Sequence, residues 1–273
     1  MVDNIKVGNR IASLRKKCGV TQEELAERLN ISAQAISKWE NGHTLPEAAL
    51  LPLLSKLLNS SIDCILMPVD VEVGDIIPFG KYQWRVLEVE GNKAFIITEN
   101  VIEERAFHSV SDVANKVIWE HSDIRKYLNG EFYNSFSGAE QAKIVESKIV
   151  NLGNSWYKTC DFPDTLDKIF LLSYEEVVRY FGDSGDLKNR IGVDIGYGLL
   201  FGDAIKDKYN KARNVLNLDG FNAWWWLRSP GGPRCQTEND HVTAGSVDNV
   251  IWLCGDGVIR EDGGVRPAMW ITV

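Results

Sequence analysis

At 273 residues, with 44% hydrophobic and 25% charged residues, the chain has the composition of a globular protein of one large or two ordinary domains. No run of about 18 apolar residues marks a membrane span, and the opening MVDNIKVGNR has no secretory apolar stretch, so a cytoplasmic location is expected. The net charge of −8 excludes a chain that contacts nucleic acid along its whole length, but it is unevenly divided: residues 1–68 hold 8 Lys and Arg against 7 Asp and Glu, and the acidic excess lies beyond them.

Cys18, Cys64, Cys160, Cys235 and Cys254 are odd in number and scattered, with no spacing suited to zinc. Reduced thiols, no metal and no cofactor are expected.

Four helices are predicted in the first 68 residues. Residues 5–17 place Ile11, Leu14 and Cys18 on one face and end at Gly19. TQEELAERLN opens with Thr21 as N-cap and Glu24 three residues on, a capping box ahead of Leu25, Ala26 and Leu29. SAQAISKWENG starts at Ser32, buries Ala35, Ile36 and Trp39, and stops near Gly42. Pro46 is read as opening a fourth helix, with Leu50, Leu53, Leu54, Leu57 and Leu58 as its apolar face. Two short helices joined by a tight turn between longer ones make a helix-turn-helix.

The run GVTQEELAERLNISAQAISKWENGHTLPE, within residues 6–66, closely resembles the phage-repressor type of helix-turn-helix, the Xre/Cro family. By that resemblance the helix from Ser32 lies in the DNA major groove. Ser32 caps it, and Ala33, Gln34, Ser37 and Lys38 occupy the outward face that reads base edges. Glutamine carries the donor and acceptor that match adenine, and lysine suits guanine. Gln22 and Asn41 match phosphate-contacting positions, and Arg15 with Glu40 matches a structural pair tying the first helix to the recognition helix. Double-stranded DNA is therefore the expected partner of residues 1–68, bound by a homodimer, with modest specificity because Ala33 offers no hydrogen bond. A helical bundle used for protein contact is the alternative.

Residues 69–75 read as a linker. From Gly74 the pattern turns to β alternation, with a hairpin at EGNK and, in YQWRVLEV, both faces at least partly buried. A helix capped by Ser122 points Ile124, Tyr127 and Leu128 inward, and GAEQAKIVESKIV follows as a short helix. DKIFLLSYEEVVRYF reads as a strand over 169–172 running into a helix capped by Ser173. Residues 182–220 are glycine-rich and charged, and loops with short helices are expected there. A strand at 79–89 is expected to pair with the closing strand at 266–272.

FGKYQWRVLEV, SDIRKYLNGEFYNSF, DKIFLLSYEEVVRYF, AWWWLRSPG and GGVRPAMWI together resemble a family of uncharacterised domains common in Firmicutes, over residues 76–273. The arrangement also resembles the C-type-lectin-like fold. The expected architecture is thus multidomain, an all-α helix-turn-helix domain followed by an α+β lectin-like domain. Of Trp224, Trp225 and Trp226, at least two should be core, with Trp224 the exposed exception. Arg228 and Arg266 read as structural, bridging loops through carbonyls.

Between the tryptophan strand and the last strand, polar groups sit on a glycine-rich backbone anchored by Val242, Val247 and Val250. This resembles the loop surface that lectin-like proteins use for ligands, and the tryptophan strand with the closing RPA resembles the variable proteins of diversity-generating retroelements. Phe221, Trp224, Arg234, Asn239, His241, Asp256 and Arg260 are the candidate ligand-binding residues, for an unknown protein or small ligand over 221–262. Glu238, Asn239 and Asp240 could supply some calcium oxygens, but the sugar-binding Glu-Pro-Asn type of motif is missing. Formylglycine-generating oxidases share the lectin-like fold and use a cysteine pair. The surroundings of Cys235 and Cys254 do not match their motif, so a binding module and not an enzyme is expected.

Overall fold

A computed structural model describes residues 3–66, 71–110, 117–157, 159–189, 204–232, 243–248 and 250–273. The chain divides into two compact units, residues 1–73 with 88–94 and 272–273, and residues 74–87 with 95–271.

The first unit is all-α. Helix α1 spans Asn4–Lys17, α2 Gln22–Leu29, α3 Ala33–Glu40, α4 Leu51–Leu57 and α5 Ile62–Leu66. Side-chain caps set the starts of the first three. Asp3 accepts from the Ile5 and Lys6 amides, Thr21 and Glu24 form the reciprocal capping box, and Ser32 Oγ accepts from the Ala35 amide. The α2–α3 turn is fixed by Asn30, whose φ of 53° is left-handed. Val7, Ile11, Leu25, Leu29, Ile36, Trp39, Leu54 and Ile65 form one buried cluster. Each large aliphatic or aromatic side chain so buried contributes roughly 1.5–3 kcal/mol.

Four details differ from expectation. Cys18 is exposed, because it is the C-cap of α1 and has left the helix face. Pro46 does not open the fourth helix: Glu47 stays extended at ψ 143°, a short 3₁₀ turn covers Ala48–Leu50, and α4 begins at Leu51. Leu54 and Leu58 are buried as expected, but Leu53 faces out. The fifth helix, with Cys64 and Ile65 buried, was not expected at all.

The second unit is rich in β strands. A five-stranded sheet runs in the order Ile76–Phe79, Tyr82–Glu90, Lys93–Thr98, Ala268–Thr272, Ile144–Val145. The closing strand therefore lies against 93–98, and the 79–89 segment pairs with its hairpin neighbours instead of with 266–272. The Thr98 amide donates to Pro267 O and the Val273 amide to Asn92 O, so the two segments run antiparallel. A six-stranded sheet has the order Glu103–Glu104, Gly264–Val265, Trp225–Pro230, Thr243–Asp248, Val250–Gly257, Ala204–Ile205.

Helices Asp123–Tyr127 and Tyr174–Phe181 begin at Ser122 and Ser173 as expected, the latter with a full capping box from Glu176. Ile124 and Leu128 are buried and Tyr127 is half-buried. Residues 169–172 are buried but make only an isolated bridge, Phe170 to Ala268, where a strand was expected. Short helices at Asp186–Asn189 and Asn210–Arg213 lie in the glycine-rich stretch.

The tryptophan strand is the floor of this unit. Trp225 and Trp226 are fully buried on opposite faces, Trp225 against Phe181 and Trp226 against Phe107. Their indole N–H groups donate to Arg213 O and Arg105 O. Gly263 makes this possible, since a Cβ there would lie 2.0 Å from Trp226 Nε1. Arg228 and Arg266 bridge through carbonyls. Arg228 donates to Leu171 O and pairs with both Glu176 oxygens, and Arg266 donates to Thr98 O at 2.9 Å. Packed between Trp225 and Phe181, the Arg266 guanidinium is pushed down to about 9 by burial.

Candidate functional sites

In the first unit α3 presents two faces. Ile36 and Trp39 turn into the core, while Gln34 and Lys38 are exposed. These two lie one turn apart, about 6 Å along the axis, which is about two base-pair steps. Ala33 and Ser37 are half-buried beside them, and Ser32 is committed to the cap. Asn41, exposed at the C-terminal end, donates to Ser37 O at 2.8 Å and to Ser37 Oγ at 3.3 Å.

What holds α3 in place is Glu40. Its carboxylate accepts from Arg15 Nε at 2.6 Å, Arg15 Nη2 at 3.0 Å and Gln22 Nε2 at 2.6 Å. Arg15 also donates to Val20 O at 2.8 Å. Burial works to raise the Glu40 pKa, but the bonds from Arg15 and Gln22 outweigh it and hold the carboxyl below its ordinary value. One carboxylate at the end of α3 thus ties it to α1 and to the start of α2. Gln22, expected at a phosphate, spends its side chain on this tie and keeps its backbone amide at the first turn of α2. The α1–α3 approach also needs Gly8, where a Cβ would sit 2.2 Å from Trp39 O.

In the second unit the structure brings together Trp224, Asp256 and Arg260. Arg260 lies 4.6 Å from the Trp224 ring centroid and donates to Asp256 Oδ1 at 2.7 Å. The partner that sequence reading missed is Asp262, which receives Arg260 Nε at 2.9 Å, Arg260 Nη2 at 2.6 Å and Trp224 Nε1 at 3.4 Å. Its signal was present in RED, two residues from the arginine. The Arg260 hydrogen bonds hold the Asp262 carboxyl below its ordinary value. The cluster is a ready-made polar surface over an aromatic floor, because Trp224 packs edge-on against buried Trp226 at 4.6 Å.

Phe221 stands apart, 71% exposed, at the end of a turn in which Asn217 Oδ1 accepts from the Asp219 and Phe221 amides. Val247 is buried, as an anchor should be, whereas Val250, also expected to be buried, is half-buried. Arg234, Asn239, His241, Val242, Cys235, Glu238 and Asp240 lie outside the described residues, as does the side chain of Cys254. No helix among the described residues is long and apolar enough to cross a membrane.

Residues 91–273 match a family described as a domain of unknown function, DUF6273, and residues 11–63 match the helix-turn-helix family. The HTH-type transcriptional regulator ImmR of Bacillus subtilis is 39% identical over 62 residues, 23% of this chain and 49% of that protein. The HTH-type transcriptional regulator DicA of Escherichia coli is 41% identical over 63 residues, 23% of this chain and 47% of that protein. The chain thus spans under half the length of these two. An uncharacterized HTH-type regulator of B. subtilis, YazB, is 39% identical over 61 residues, 22% of this chain and 88% of its own length. Among solved structures, the P22 c2 repressor in complex with a synthetic operator is 38% identical, with a TM-score of 0.23, covering 23% of this chain and 96% of that one. Residues 11–63 are a helix-turn-helix of the transcription-regulator type.

Proposed function

The chain belongs to the DUF6273 family, its first unit is a regulator-type helix-turn-helix, and we propose that it is a sequence-specific DNA-binding transcriptional regulator of the cytoplasm. The observation that carries this reading is the locked outward face of α3. Gln34 and Lys38 project two base-pair steps apart from a helix that Glu40 fixes against α1 and α2. Gln34 reads adenine and Lys38 guanine, with Ser37 and Ala33 beside them and Asn41 and the Gln22 amide at phosphates. A homodimer places two such helices on successive major-groove faces and doubles the phosphate contacts, which a first unit of nearly neutral charge requires. Binding selection over random DNA duplexes tests this. The expected result is an enriched motif with two half-sites; recovery of no preferred sequence removes the reading.

The second unit is proposed as a non-catalytic binding module of lectin-like type. The Trp224–Arg260–Asp256–Asp262 cluster supports it, as a polar surface rigidly backed by the tryptophan floor. The occupant proposed for that surface is a protein or small ligand, and the exposed Phe221, which stands apart from the cluster, is a second proposed contact.

A further inference from the structure

One serine on the outward face of α3 has its hydroxyl already oriented by a neighbour. Gln34, Ser37 and Lys38 are spaced by three and four residues, so they share one ridge of the helix. Gln34 and Lys38 are exposed, and neither side chain has a partner among the described residues. Each can turn to suit the base it meets. Ser37, half-buried beside them, is held by Asn41 one turn further on.

Chemistry fixes the direction of this contact. The backbone carbonyl of Ser37 accepts from the Asn41 backbone amide at 3.0 Å and from Asn41 Nδ2 at 2.8 Å. A carbonyl oxygen only accepts, so the Asn41 atom beside it is the NH2 group, with Oδ1 turned away. The same Nδ2 lies 3.3 Å from Ser37 Oγ. An amide NH2 only donates, so the serine oxygen is the acceptor in this pair. A helical serine often gives its proton back to the carbonyl four residues earlier. Among the described residues Ser37 Oγ makes no such bond, and its proton is left to donate. Accepting from Asn41 polarises the hydroxyl and strengthens it as a donor. Asn41 is itself set from both sides. Glu40 is tied to Arg15 and Gln22, and Gly42 donates to Trp39 O at 2.9 Å, where a Cβ would lie 2.8 Å from Ile5 Cα.

We infer that Asn41 is a positioning residue for the base reading proposed for α3, on which this assignment rests. Asn41 commits Ser37 to donating, and so sets which way round a G·C pair is accepted at the step Ser37 meets. In the major groove guanine presents the acceptors N7 and O6, whereas cytosine presents the N4 donor. A serine hydroxyl with no neighbour to orient it serves either base, because it both donates and accepts. A hydroxyl committed to donating is matched by guanine and mismatched by cytosine.

The test uses the full chain and ratios of affinity, in which phosphate contacts, blind to sequence, cancel. Binding selection with wild type and with Ser37→Ala locates the step at which the two motifs differ. Duplexes carrying G·C in its two orientations at that step are then titrated at fixed salt. Wild type is expected to prefer one orientation about fivefold, the worth of one hydrogen bond, and both Ser37→Ala and Asn41→Ala to bring the two within about twofold. Asn41→Asp puts a carboxylate where the NH2 stands. It takes the Ser37 proton, leaves the serine oxygen as an acceptor, and should reverse the preferred orientation. Its added charge weakens binding to both duplexes alike. Asn41→Ala decides the case alone if Asn41→Asp does not bind. A wild type that selects no motif removes the proposed DNA reading itself. Identical motifs from wild type and Ser37→Ala, equal binding of the two orientations by wild type, or the wild-type preference retained in either Asn41 variant would overturn this inference and leave that reading standing.

Discussion

Removing the Glu40 carboxylate while leaving Arg15 in place is the sharpest perturbation of the DNA-facing unit. The Arg15 and Glu40 side chains are 10% and 7% exposed, so Glu40→Leu strands a guanidinium that solvent scarcely reaches. Breaking such a pair from one side costs about 3–5 kcal/mol. Gln22 loses its acceptor as well, adding about 1 kcal/mol. Arg15 keeps its bond to Val20 O, which places the total near the lower part of that range. Hydrogen exchange of the α1 and α3 amides reads the loss locally, without requiring the second unit to unfold. The double variant Arg15→Met with Glu40→Leu should recover most of it, since an apolar pair of similar volume is often neutral or stabilising. A single-variant loss below about 1 kcal/mol, or a double variant as unstable as the single, would refute the idea that this pair holds α3. The pH dependence has a definite sign. Because the folded Glu40 pKa lies below its ordinary value, this stabilisation is present in full above about pH 4.3 and is lost as pH falls through the lower folded value.

Gly8→Ala should cost about 1–3 kcal/mol, because its new Cβ meets backbone oxygen at 2.2 Å; exchange at α1 and α3 amides checks it. Gly263→Ala pushes on the buried Trp226 indole and should cost a similar 1–3 kcal/mol, seen as lower thermal stability with altered near-ultraviolet circular dichroism. Arg228→Met leaves Glu176 without its bidentate partner and should cost about 3 kcal/mol by denaturant unfolding, a loss that Glu176→Gln in the same chain partly recovers.

Much of the first unit was legible because its signals are local. Thr21 and Glu24, three residues apart, form the box they predicted, and the outward positions of Gln34 and Lys38 follow from helical spacing around Ile36 and Trp39. Ser173 and Glu176 repeat the same success in the second unit. The misreadings have physical causes. Pro46 suits a helix start, yet the chain there stays extended through Glu47, and helix α5 is too short for periodicity to reveal. Strand partners are set by long-range packing, so the closing strand was assigned beside 79–89 and lies beside 93–98. Arg228 and Glu176 are 52 residues apart, and Trp224 and Asp262 are 38 apart. No local pattern announces such pairs.

The central claim is that α3 reads base edges. Its most direct test compares wild type with the Gln34→Ala, Lys38→Ala double variant on a selected site and on unrelated duplex, at fixed salt. The account predicts a loss of roughly 2–6 kcal/mol on the selected site, about 1–3 kcal/mol for each base contact. On unrelated DNA only the small change from one lost charge is expected. Equal losses on both duplexes, or no loss on either, would contradict it.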